Sequence, residues 1–167
     1  MSGIINEVGS KSYIIGMRGS QSGTCSFMAR ESPSSSTGWS SIGSPLFVPF
    51  TDDSSGDCHD TDSCYDATNS KFVAPTSGVY CFWYAIYTAE GDDDNGFAFD
   101  KNGAQTGIDS MHESTNYLTY VNIETGDHIQ NGFMQIVLDA GDYIKVVVQV
   151  DSHVYHEMTT WGGYRIK

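Results

Sequence analysis

Basic side chains are scarce in this sequence. Of 167 residues only 8 are Lys or Arg, against 21 Asp or Glu, for a formal net charge of −13. None stands between Arg30 and Lys71. A duplex-binding protein needs a basic stripe to displace condensed counterions, so nucleic acid is not an expected partner. The same charge argument disfavours anionic membrane surfaces. Long apolar runs are missing too, and nothing approaches the ~20 residues a spanning helix requires. In the opening MSGIINEVGSKSYIIGMRGSQSG, polar residues and Gly separate the Ile pairs. No apolar stretch of a secretory signal forms there, and synthesis in a cytoplasm is expected.

Cysteine is sparse, with four residues at 25, 58, 64 and 81. In a chain made in a cytoplasm, free thiols are the default. Cys58 and Cys64 share one loop and could pair later in an oxidising medium. A zinc site would need closer paired spacings with histidines nearby, and only His59 lies between them.

Catalytic constellations are also lacking. There is no G-x-S-x-G elbow. His153 and His156 lie three apart in a β-like stretch, which points them to opposite faces, and Glu157 beside them adds no third ligand in register. His59, His112 and His128 are isolated, and Asp92, Asp93 and Asp94 sit in a polar loop as solvated charge. The expectation is a protein that is not an enzyme and has no cofactor.

What the sequence does have is β structure. It carries 18 Gly and 13% aromatics, in short β-branched and aromatic runs broken by Gly, Asn, Asp and Ser. No stretch offers a convincing helical stripe. Residues 1–22 form a Gly/Ser-rich arm with two knobs, Ile4-Ile5 and Ile14-Ile15, suited to docking in grooves of other subunits. Residues 23–167 form one domain. CSFMARE is a strand candidate, SPSSSTGWSSIGSP a low-complexity loop with a lone Trp39, and LFVPF an extended piece whose Pro49 suits an edge or bend. Residues 51–66 read as an acidic loop. Asn-Gly pairs at 95–96, 102–103 and 131–132 are hairpin signals, and Gly-Asp at 141–142 is a tight turn. Eight to ten strands of this kind make an all-β sandwich or jelly roll.

One strand breaks the alternation of a half-wet sheet. In VYCFWYAIY, Tyr80, Phe82, Tyr84 and Ile86 share one face, and Val79, Cys81, Trp83, Ala85 and Tyr87 share the other. Both faces are apolar. A second copy of the protein is the expected cover for the outer one, because aromatic interfaces bury large areas at about 25 cal/mol per Å².

From Phe72 the chain resembles the globular head domain of complement C1q and its relatives in the tumour necrosis factor superfamily. FVAPTSGVYCF is similar to that family's F-x-A-P-x-x-G-x-Y-x-F signature, through Phe72, Ala74, Pro75, Gly78, Tyr80 and Phe82. VLDAGDYIKVVV resembles its L-x-x-G-D turn, through Leu138, Gly141 and Asp142. WGGYRIK resembles its closing strand, through Trp161, Gly163 and Tyr164. The three motifs span roughly residues 65–167. The resemblance implies a ten-stranded jelly roll packed as a homotrimer. It implies a core containing Tyr80, Phe82, Met134, Ile136, Leu138 and Tyr164. It assigns Cys81, Trp83, Phe133, Val137 and Trp161 to the threefold axis.

The arm carries a second resemblance, to the start of small structural proteins of marine bacteriophages of the cyanophage type. This implies a virion protein made in a host cytoplasm, attached to capsid or tail partners through the arm, with a role in decoration or as a fibre head and in adhesion to a host surface. The alternative expectation is a stand-alone C1q-like module that binds glycan or protein. Some relatives bind calcium, for which Asp52, Asp53, Asp57, Asp60 and Asp62 are the candidates here; the run does not match an EF-hand loop, and a solvated loop is the plainer expectation.

Overall fold

The computed structural model describes residues 25–31, 38–42, 47–51, 58–88, 95–103, 117–123, 128–148 and 152–166. Its strands are β1 (Ser26–Arg30), β2 (Trp39–Ile42), β3 (His59–Thr61), β4 (Tyr65–Asp66), β5 (Lys71–Val73) and β6 (Gly78–Thr88). They continue as β7 (Asn95–Lys101), β8 (Tyr117–Ile123), β9 (His128–Leu138), β10 (Tyr143–Val148), β11 (Ser152–Tyr155) and β12 (Thr160–Arg165). A 3₁₀ turn at His156–Met158 links the last two.

The strands form two antiparallel sheets. The five-stranded one runs β4-β5-β10-β7-β8. In the seven-stranded one, β6 pairs with β9 along one side and with β12, then the end of β11, along the other. β1 and β3 follow beyond β12, and β2 beyond β11. Period-two alternation sends Tyr80, Phe82, Tyr84 and Ile86 of β6 inward. They meet Phe72 of β5, Phe97 and Phe99 of β7, and Ile144, Val146 and Val148 of β10 in one buried cluster. The sheets touch through rings, with Phe72 on Phe82 at 4.9 Å and Tyr84 on Phe99 at 5.0 Å. Each such side chain contributes about 1.5–3 kcal/mol on full burial. The Tyr84 hydroxyl crosses the sandwich to donate to the Phe97 carbonyl at 2.9 Å, which satisfies a polar group that burial would otherwise penalise. The expected jelly roll is the fold that forms.

Several expectations need correction. Trp161 lies in the core at 0% exposure, and Tyr164 stands outside at 47%. Three residues apart on one strand means opposite faces, but only the pairing with β6 says which is which. Trp161 is opposite the core residue Tyr84, and Tyr164 is opposite Cys81, so each shares its partner's face. The cysteines differ as well. Cys25 is bonded to Cys64, with Cα atoms 6.1 Å apart, and Cys58 is buried and takes no part in that bond. The cause is non-local: β1 pairs with β3, Ser26 opposite Thr61, which brings residue 25 beside the turn that follows β3. Trp39 is not in a loop but opens β2, whose Trp39–Ile42 pair with Ser152–Tyr155. The acidic stretch holds two short strands, β3 and β4. LFVPF is the extended piece expected: Phe47 bridges to Val147, and the Val48 amide donates to the Val146 carbonyl.

Candidate functional site: the outer face of the seven-stranded sheet

The outward side chains of β9 are Ile129, Asn131, Phe133, Gln135 and Val137. Phe133 and Val137 are 64% and 67% exposed. Strand register carries this row across the sheet. Val137 is opposite Val79, Gln135 opposite Cys81, Phe133 opposite Trp83, and Ile129 opposite Tyr87. Across β6, Trp83 faces Gly162 and Cys81 faces Tyr164. One strand further, Met28 faces Gly162. Gly162 decides how Trp83 lies: a Cβ there would press on the Trp83 ring and the Phe27 carbonyl, so the indole rests against the sheet over the glycine. Cys81 is buried although it points outward. Its hydrogen bond with Tyr164 is the first cause of that phenol's raised pKa. The result is a face on which Phe133, Val137, Tyr164 and Ile166 stand exposed, interleaved on β9 with the polar Asn131 and Gln135.

Of the residues assigned to the axis, Cys81, Trp83, Phe133 and Val137 share this face and Trp161 does not. Of the signature residues, Phe72, Tyr80, Phe82 and Leu138 are buried. Pro75 lies in the approach to β6, and Gly78 opens that strand opposite Leu138. Gly141 takes φ +90°, which only glycine adopts freely, and lets Asp142 fold back on the turn. The Asp142 carboxylate accepts from the Asp139 amide at 2.9 Å and the Asn102 side chain at 2.7 Å, and pairs with Lys101 at 2.7 Å. These partners hold its pKa down at about 2.

The calcium candidates do not converge among the described residues. Asp60 Oδ1 accepts from the Cys64 and Tyr65 amides, so it closes a turn. Asp62 is exposed at positive φ. Asp52, Asp53 and Asp57, and Ile4, Ile5, Ile14 and Ile15 of the arm, lie outside the described residues. No group of three or more His, Cys, Asp or Glu with metal-holding geometry occurs among the described residues. No helix among them is long and apolar enough to cross a membrane.

Sequence reasoning missed an aromatic recess at the β2–β11 end of this sheet, lined by Trp39, Tyr87, Tyr155 and Met158. The available signal was Trp39 itself, a large aromatic alone in a Ser-rich run.

No protein-family model matches the sequence, and no curated protein matches it. Solved structures do match the fold. The Eiger TNF of S. frugiperda superposes with a TM-score of 0.60 at 15% identity, covering 87% of this chain and 94% of that one. The globular domain of zebrafish complement 1qA gives 0.57 at 13% identity, over 86% and 98%. Murine APRIL gives 0.61 at 10% identity, over 85% and 98%. The chain therefore has a C1q/TNF-like jelly-roll fold. At such identities the likeness is one of fold.

Proposed function

We propose that this protein is a non-enzymatic structural protein that works as a homotrimer, with the outer face around Trp83, Phe133, Val137 and Tyr164 packed against two other copies. The observation that carries this is the exposed hydrophobic side chains of that face, above all Phe133 and Val137 at the sheet edge. In an isolated chain these side chains would stand in water. In a cyclic assembly β9 of one copy meets the face of the next, and the row is buried at about 25 cal/mol per Å².

The finer reading is a bacteriophage virion protein. The head projects from capsid or tail as decoration or a fibre head, and the arm with Ile4, Ile5, Ile14 and Ile15 attaches it. Support comes from the resemblance of the arm to marine phage structural proteins and from the acidic, non-duplex-binding composition. A second reading is a binding module in which the recess at Trp39, Tyr87 and Tyr155 holds a ligand.

Light scattering on the full-length protein and on Phe133→Asp tests the assembly. The expected result is three times the chain mass for the native protein and a folded monomer for the variant, since Phe133 packs into nothing within its own chain's core. A native monomer, or a variant that stays trimeric, would remove the outer face from the mechanism.

A further inference from the structure

At the β2–β11 corner, Trp39, Tyr87, Tyr155 and Met158 line an open recess of about 270 Å³. Trp39 and Tyr155 are direct cross-strand partners, which fixes their spacing. Their ring centroids stand 5.2 Å apart at 63°. Tyr87 lies 5.7 Å from Trp39 at 33° and 6.1 Å from Tyr155 at 80°. The rings are thus inclined walls meeting at a corner, not one flat platform.

Backbone geometry holds these walls in place. Gly38 sits at φ +80°, and a Cβ there would run into the Tyr155 ring. The Gly38 carbonyl accepts from the His156 amide at 3.0 Å and from His156 Nδ1 at 2.7 Å. Tyr155 and the 3₁₀ turn after it are therefore fastened to the start of β2, and the recess is formed before any ligand arrives.

Among the described residues, a carboxylate stands beside the recess. Glu157 Oε2 lies 3.3 Å from the Tyr155 hydroxyl, and its charge is the main cause pushing that phenol above its ordinary value. Among the described residues, no Lys or Arg lines the recess. His156 turns Nδ1 to the Gly38 carbonyl, and its Nε2 lies 3.9 Å from Glu157 Oε1.

Aromatic faces carry negative potential, and several of them around one point attract a cation that is weakly hydrated. A primary ammonium would lose strong hydration on entry, whereas a trimethylammonium group has apolar methyls that suit Met158 and the rings. A pyranose ring would prefer a flat platform. We propose that this recess binds a quaternary trimethylammonium group, with Trp39, Tyr87 and Tyr155 as walls and Glu157 as the counter-charge at the rim.

The test titrates the full-length protein with choline, Nε-trimethyllysine, the uncharged carbon isostere of choline, and glucose, following tryptophan fluorescence and calorimetric heat. Both ammonium ligands should bind in the millimolar range, with the isostere about tenfold weaker. Tighter binding of trimethyllysine would identify a modified protein as the source, and tighter binding of choline a small molecule; either supports the site. Glu157 is exposed, so Glu157→Gln should fold normally and weaken both ammonium ligands about threefold. Trp39→Ala should abolish the fluorescence response. Isostere binding as tight as choline, tighter binding of glucose, or an unchanged affinity in Glu157→Gln would overturn the proposal. So would silence of all ligands at ~50 mM, which includes a recess closed by a neighbouring copy.

Discussion

Asp142 closes the turn between β9 and β10 and reaches sideways to Lys101 and Asn102 at the end of β7. Asn102 in turn accepts from the Tyr143 amide at 2.8 Å. The carboxylate therefore ties the β9–β10 connection, which passes from one sheet to the other, to the end of β7. Its pKa is held at about 2, below the ordinary value near 4. A carboxyl depressed on folding adds stability above its unfolded pKa and loses it as pH falls through the folded one. Stability measured by denaturant should drop between about pH 4 and 2, and Asp142→Asn should remove part of that slope while lowering stability at neutral pH. An identical acid slope in the variant would show that other carboxylates set it. This contact was legible in outline, because Gly-Asp marks the turn. That Lys101 and Asn102 complete it was not, since they are forty residues away in sequence and only the β7–β10 register brings them near.

Strand β1 shows how far an alternating pattern can be read. A strand is expected at CSFMARE, and its inward residues Phe27 and Ala29 are buried. What lies on either side of it was hidden, because β12 on one edge and β3 on the other come from distant parts of the chain. The same limit explains both main errors of the sequence reading. Trp161 and Tyr164 were correctly set on opposite faces and wrongly assigned between them, and Cys64 was offered its loop neighbour Cys58 in place of Cys25. Trp161 is fastened inside by its indole N–H, which donates to the Tyr65 hydroxyl at 3.3 Å, while Tyr65 stacks on Phe27 at 4.8 Å. The disulfide reinforces this corner. It spans 39 residues, a loop whose closure should contribute about 4 kcal/mol by restricting the unfolded chain. Replacing both Cys25 and Cys64 by Ser should lower unfolding free energy by up to that amount, measured with reductant absent. A loss under ~1 kcal/mol would mean the aromatic corner holds β1 and β3 unaided.

On the proposed virion reading the jelly roll gives the chain its shape and the arm gives it attachment. Ordering a chain segment costs about 1–2 kcal/mol per residue. A fully buried Ile returns roughly 1.5–3 kcal/mol. Four isoleucines cannot offset the ordering of all of residues 1–22, so only the stretches next to Ile4-Ile5 and Ile14-Ile15 can be fixed at a modest gain. One arm would then hold weakly. Three arms on one trimer change the arithmetic, since each later attachment is intramolecular and avidity can exceed a single affinity by about 10²–10⁴. On the proposed virion reading, deleting residues 1–22 should leave the light-scattering mass ratio at three and abolish incorporation into particles. Ile4→Asp with Ile14→Asp should have the same effect. Because the gain depends on valency, armless and full-length chains mixed in one trimer should lose incorporation more steeply than in proportion to missing arms. Full incorporation of the armless head would move attachment to the jelly roll and favour the binding-module reading.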